Sequence, residues 1–357
     1  MAHRLAAPAQ PRAEGSALPT TDRLDWGRDG QDWPHRDLSR FVEAAGLRWH
    51  VQHWQAHAAA PHTHPAHGSG GAAAMEAASS SRTRPLILLI HGTGASTHSW
   101  RDLAPLLAEH ADVLAMDLPG HAFSSMPAGG ANSDLLSLPG MASAVSKLLH
   151  VLDLEPQLIV GHSAGAAVGV RMALDRQSAP QQPGRAALQG VLGLNAALLP
   201  LRGLAGQLFS PVAKLMASTS MVPRYFASRA GDAKVLQRLI DSTGSRLDAA
   251  GLRCYARLVS SPGHAAGALG MMANWDLEAL AYALPRLKTP LHLMVGTRDG
   301  TVPPAQAERV LARLPEGLPH SLLKLEGLGH LAHEERPAVV AEWVRSAAAD
   351  GPRLSPG

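Results

Sequence analysis

One cysteine, Cys254, in 357 residues leaves no partner for an intramolecular disulfide, and such a chain fits a compartment where thiols stay reduced. A buried, unreactive thiol is the expectation for it. Long hydrophobic runs are missing as well. No stretch of about 18 uninterrupted apolar residues occurs, which argues against a transmembrane helix. The start, from Met1 to roughly Arg40, is rich in Pro, Ala, Arg and Asp and holds no apolar run resembling a signal-peptide core, so a cytoplasmic location is the default. Peripheral membrane contact is left open. An excess of charge of one sign is missing too: the formal net charge is +3 with no basic cluster, and neither nucleic acid nor a strongly anionic surface is indicated as a partner. What is present is 46% hydrophobic residues, enough for one large domain with an inserted cap, and 19 histidines.

The most informative residues are Gly161-His162-Ser163-Ala164-Gly165. They follow the apolar run Gln157 to Val160 and precede the helix-forming stretch Ala166 to Asp175, which is the pattern of a nucleophile elbow. A serine on so sharp a strand-to-helix turn sits in a strained conformation, and its neighbours must be small, as Gly161 and Gly165 are. The following helix brings its first amides beside the serine, where they can support an oxyanion.

An elbow serine needs an acid and then a histidine, each on a loop after a later strand. The strand Leu291 to Val295 runs into Gly296-Thr297-Arg298-Asp299, making Asp299 the candidate acid. Ser321 to Leu325 reads as the last strand, and Glu326-Gly327-Leu328-Gly329-His330 delivers the candidate base, His330. The oxyanion requires two amides: one from Ala164, after the nucleophile, and one from the loop His91-Gly92-Thr93-Gly94, where Thr93 is the candidate. That loop follows Pro85 to Ile90, a continuous apolar run of the kind a doubly covered parallel strand requires. The strand Val113 to Met116 is followed by Asp117-Leu118-Pro119-Gly120-His121-Ala122-Phe123-Ser124, which resembles the D-x-x-G-x-G-x-S loop of α/β-hydrolases. Ala122 stands where that pattern has its second glycine, which implies a backbone there without positive φ. Together these motifs predict an α/β-hydrolase fold: a mostly parallel twisted sheet flanked by helices, with an inserted helical cap.

Other residues compete for these roles. His91 and His121 are expected to brace turns by hydrogen bonding. His333, three residues beyond His330, is a rival base, but Gly329 marks the tight strand exit just before His330. The strand Val191 to Leu194 ends at a position where some hydrolases keep their carboxylate; here it holds Asn195, which cannot ionise. Ser163 speaks against haloalkane dehalogenase or epoxide hydrolase chemistry, which places an aspartate at the elbow. No metal site and no cofactor is supported.

The expected organisation is a flexible segment over 1–40, core over 41–195, a helical cap over 196–287, core again over 288–347 and a flexible tail over 348–357. A hairpin is expected around Ala44-Ala45-Gly46. Residues 57–84 form an Ala/Gly/Ser/His-rich insertion with His57, His62, His64 and His67, expected to be disordered for want of apolar surface to bury. The cap is rich in Met and apolar residues, including Leu208, Phe209, Met216, Met221 and Tyr225, and suits a lid over a large hydrophobic ligand. Trp100, Met271, Met272 and Trp275 are candidate pocket residues.

The loop His91 to Trp100, the elbow Gly161 to Ala167, the cap segment Gly267 to Leu277 and the stretch Gly327 to Glu335 together resemble the magnesium-chelatase accessory proteins of bacteriochlorophyll biosynthesis (BchO type). The resemblance spans about Trp33 to Val344 and omits the histidine-rich insertion. It implies a place in tetrapyrrole biosynthesis and a functional association with magnesium chelatase. Three functions are compatible with it: hydrolysis of an ester or related acyl group of a bulky apolar compound such as a tetrapyrrole, non-catalytic porphyrin binding in support of the chelatase, and cofactor-free perhydrolase or carbon–carbon hydrolase chemistry.

Overall fold

The computed structural model describes residues 22–55, 84–180, 186–200, 221–230 and 232–349. The histidine-rich stretch and the cap residues Leu208, Phe209 and Met216 lie outside the described residues. One eight-stranded sheet organises the rest, in the order β1-β2-β4-β3-β5-β6-β7-β8. Its strands are β1 (Ser39–Ala44), β2 (Leu47–Trp54), β3 (Leu86–Ile90), β4 (Asp112–Met116), β5 (Leu158–His162), β6 (Gly190–Leu194), β7 (Leu291–Gly296) and β8 (His320–Leu325). β1 and β2 form a hairpin, closed by Ala45 and Gly46 at φ 55° and 73° in a two-residue turn that suits the right-handed strand twist. β2 meets β4 antiparallel, and every pair beyond is parallel.

Parallel strands need crossovers, and these cover both faces of the sheet. β3 shows the consequence: Leu86, Leu88 and Ile90 pack into one core layer, while Ile87 and Leu89 pack into the other. The first layer is closed by α1 (Leu138–Leu152) and α2 (Ala164–Ser178), the second by the helices Leu103–Ala108 and Pro337–Ala349. α1 begins at Ser137, whose side chain accepts from the Gly140 N–H, with a proline in the first turn. Between β6 and β7 the described residues hold only helices, among them α3 (Met221–Ala230), α4 (Ala233–Ser242), α5 (Ala249–Val259) and α6 (Pro262–Ala273). No helix among the described residues is long and apolar enough to cross a membrane.

Two expectations are corrected. Residues 22–40 are not a flexible lead-in. Trp33 is 2% exposed and donates its indole N–H to Thr97 Oγ1 at 3.2 Å. Trp26 packs edge-on against Phe41 and Phe123. The aromatic anchors outweigh a polar local composition. Ala122 does take a positive φ, 41°, which aims its N–H at His264 Nδ1, 3.0 Å away on α6. A contact made by a distant helix stabilises a conformation that alanine alone disfavours.

Candidate active site

Because β3 and β5 to β8 run in parallel, their carboxyl ends lie along one edge of the sheet, where ligands of open α/β sheets bind. Ser163 sits between the end of β5 and the first residue of α2 with φ 51° and ψ −117°, a region costly for any residue with a Cβ. Its amide donates to the Leu194 carbonyl at 2.9 Å, and its own carbonyl accepts from Ala166 and Ala197 at 3.2 and 3.1 Å. A methyl on Gly165 would collide with the Ile90 carbonyl, and one on Gly161 would lie 2.5 Å from Ala166 backbone atoms. The small flanks are therefore a steric requirement. A Cβ on Gly92 would lie 3.0 Å from the Ser163 Cβ, so the loop that carries Thr93 passes against the nucleophile position. On the other side Ala164 opens α2, whose first-turn amides have no partner within the helix.

Asp299 and His330 come together from the loops after β7 and β8. Asp299 Oδ2 accepts from His330 Nδ1 at 2.8 Å, and Oδ1 accepts from the amides of Thr301 and Val302 at 2.8 and 2.9 Å. A buried acceptor on Nδ1 fixes the imidazole tautomer and leaves Nε2 free to take a proton. Ser163 is linked to this pair through its neighbour His162. The His162 Nε2–H donates to the His330 carbonyl at 2.9 Å, and the two rings lie 4.7 Å apart. Burial, reinforced by His333 and His330 nearby, holds His162 well below the ordinary histidine range, so it serves as a neutral spacer.

His333, the rival base, lies behind the site between Trp100 and His162, with ring centroids 4.8 and 4.4 Å away. Burial pushes it down to about 3, and neither ring nitrogen has a hydrogen-bond partner among the described residues. Trp100 is likewise not a pocket wall. It is fully buried in the core layer with Leu103 and Val160, because the short 3-10 turn Thr97–Trp100 carries it under the sheet edge. Trp275, 9% exposed, packs in the opposite layer with Leu277. Met271 is fully buried too, but it touches a site loop: its Sδ accepts from Thr93 Oγ1 at 3.3 Å. Met272, beside it on α6, is half-buried.

His91 and His121 brace turns. His91 Nε2 accepts from the Leu118 amide at 2.9 Å, and its Nδ1–H donates to the Gly92 carbonyl at 2.8 Å. His121 Nδ1 donates to the Pro119 carbonyl at 3.1 Å. Among the described residues no group of His, Cys, Asp and Glu is placed to hold a metal ion. Cys254 is buried, and burial raises its thiol to about 11.

Sequence reading missed the contacts between the cap and the site. His264 on α6 accepts from the Ala122 amide and donates its Nε2–H to the Gly94 carbonyl at 3.1 Å, tying two site loops to one helix. The turn after α4 braces the acid and base loops: Thr243 O accepts from the amides of Gly300 and His330 at 3.1 and 3.0 Å, and Ser245 Oγ accepts from Leu331 N at 2.8 Å. Arg101 bonds Glu334 at 2.5 Å and Asp248 at 3.0 Å, while the Tyr255 hydroxyl donates to Glu334 at 2.8 Å.

The alpha/beta hydrolase family model matches residues 87–343. Over 254 residues, 70% of this chain and 82% of the relative, the sequence is 37% identical to the magnesium-chelatase 30 kDa subunit of Rhodobacter capsulatus. Among solved structures, the epoxide hydrolase CorEH superposes with a TM-score of 0.64 at 20% identity, over 87% of this chain and 98% of its own. An alpha/beta hydrolase fold protein from Burkholderia ambifaria superposes with a TM-score of 0.63 at 20% identity over the same shares. At such identities the two structures speak for the fold alone. The match across most of its length makes this chain a member of the alpha/beta hydrolase family.

Proposed function

We propose that this protein is a serine hydrolase that cleaves an ester or related acyl group of a bulky apolar substrate, with Ser163 as nucleophile, His330 as base and Asp299 as the acid that orients it. The hydrogen bond between Asp299 and His330, with His330 joined through His162 to the elbow that holds Ser163 at φ 51°, carries the reading. Ser163 Oγ attacks the acyl carbon while His330 Nε2 takes its proton. Charge then builds on the acyl oxygen, which the amides of Ala164 and Thr93 receive; one such donor is worth roughly 3 kcal/mol in the transition state. The leaving alcohol recovers the proton from His330, and water repeats the sequence on the acyl-enzyme. Met271, on the Thr93 side of the site, and Met272 offer an adaptable apolar wall for the substrate.

The likeness to a protein called a magnesium-chelatase subunit supports an association with magnesium chelatase, and with the resemblance carried by the sequence motifs we place the protein in bacteriochlorophyll formation, in the cytoplasm, with a tetrapyrrole as the apolar substrate. It equally favours a second reading, in which the protein binds a porphyrin for the chelatase and the triad is idle. Fluorophosphonate labelling of the purified protein separates the two. The hydrolase reading expects the wild type to label and Ser163→Ala and His330→Ala to stay unlabelled. A folded wild type that does not label, yet shows saturable fluorescence quenching with protoporphyrin, would establish the binding reading instead.

A further inference from the structure

Asn195 occupies the first position after β6, at the same sheet edge as the proposed triad, and is fully buried with φ 48°. Its amide donates to the Met294 carbonyl at 2.7 Å, which fixes the backbone against β7. Its side-chain Nδ2 donates to Asp299 Oδ2 at 2.8 Å and to the Gly329 carbonyl at 3.2 Å. Both neighbours are acceptors, so the carboxamide has one workable orientation: a flipped side chain would aim its oxygen at a carboxylate and a carbonyl.

We infer that Asn195 is a positioning residue that locks the acid to the base, an inference that rests on the serine hydrolase reading. Asp299 receives His330 Nδ1–H and Asn195 Nδ2–H on one oxygen and the amides of Thr301 and Val302 on the other. These donors fill the carboxylate's four lone-pair sites, so it has no reason to rotate. The same carboxamide grips the carbonyl of Gly329, the residue just before His330. One side chain thereby joins Asp299 to the residue before His330, across two loops that also meet through the bond from Arg298 N to the Leu328 carbonyl and through Thr243. A second carboxylate at this place would lack the protons that Asn195 supplies and would repel Asp299 unless one proton were shared. That is a physical reason for an amide here.

Glycine and aspartate both tolerate a positive φ, so Asn195→Gly and Asn195→Asp test the side chain with the backbone kept. The rate of fluorophosphonate labelling is measured across pH for both variants and the wild type, with the probe's half-saturating concentration as control. Asn195→Gly is expected to slow labelling by about ten- to a hundredfold, the loss of a hydrogen bond to a charged group, with unchanged probe affinity. Asn195→Asp is expected to move the acid limb of the profile to higher pH, because added negative charge near His330 favours its protonated, inactive form. A second readout needs no reactive serine: the downfield NMR resonance of the proton between His330 and Asp299, expected to be shifted or broadened in Asn195→Gly. Labelling rates and resonance unchanged from wild type would overturn the inference. If the wild type does not label, the hydrolase reading fails, and the resonance alone decides whether Asn195 holds the pair.

Discussion

Ser163→Gly should make the protein more stable than Ser163→Ala. Both variants remove the hydroxyl, so the comparison isolates the Cβ at φ 51° and ψ −117°, a conformation open to glycine and strained for alanine. Strain of this kind costs about 1–3 kcal/mol. Glycine returns part of the gain, because the unfolded chain becomes freer by about 0.4–1 kcal/mol. It also gives up a half-buried methyl, worth about 0.4 kcal/mol at ordinary burial values. Mid-range figures leave about 1 kcal/mol in glycine's favour. The assay is urea denaturation followed by tryptophan fluorescence, with midpoints compared at matched slopes. Equal midpoints, or a less stable glycine variant, would refute the claim that the elbow is held under strain by its surroundings. The contacts that would do the holding are the bonds to Leu194, Ala166 and Ala197 and the close approach of Gly92.

Three further outcomes follow from the same geometry. Gly165→Ala drives a methyl into the Ile90 carbonyl and should cost more than about 3 kcal/mol, read as loss of soluble protein or a collapsed denaturation midpoint; a soluble variant of wild-type stability would contradict the packing described. His264→Ala removes an acceptor for Ala122 N and a donor to Gly94 O, and a loss of about 2–4 kcal/mol is expected by the same denaturation assay, with less than 1 kcal/mol counting against it. Burial raises Glu334 to about 7, above the 4.5 of an ordinary glutamate, despite Arg101 beside it. The folded state then keeps a proton that the unfolded chain gives up, so this group favours folding below about pH 4.5 and loses that advantage as pH rises through about 7. Relative to Glu334→Gln, the wild type should lose up to about 3 kcal/mol between pH 5 and pH 8. Parallel stability curves for the two proteins would show that Glu334 does not titrate there.

Much of the frame was legible because parallel strands buried on both faces read as unbroken apolar runs, and each run ended in a residue of recognisable chemistry. Leu86 to Ile90 and Leu158 to Val160 are of this kind, and Leu291 to Val295 is so but for His292, which is why the pairing of Asp299 with His330 could be expected from strand ends alone. Asn195 was legible as a position and illegible as a partner: its place after β6 follows from the sequence, its bond to Asp299 only from the neighbourhood of β6 and β7. Trp100 misled for the opposite reason. It stands close after the Thr93 loop, but a short 3-10 turn is enough to rotate it into the core. Ala122 misled because its φ is set by His264, 142 residues away. The turn Thr243 to Ser245 carries no signal of its own, since a polar turn after a helix is an ordinary feature.

These long-range contacts bear on how a substrate could enter. A lid that swings as one body must part from the core along a surface without strong bonds, and the described part of this cap has no such surface over the site. α4 and α5 share an apolar cluster with Ala95, just after the Thr93 loop, and Leu331 beside His330. Thr243 and Ser245 bond the loops of Asp299 and His330, and His264 bonds the loop of Thr93 at Gly94. Asp248 and Tyr255 reach the buried Arg101 and Glu334. Lifting these helices would release the groups that hold Asp299, His330 and Gly94 in place, so an open cap would be a disassembled site. The cap helices therefore act as a clamp that keeps the loops bearing Asp299, His330 and Gly94 in register.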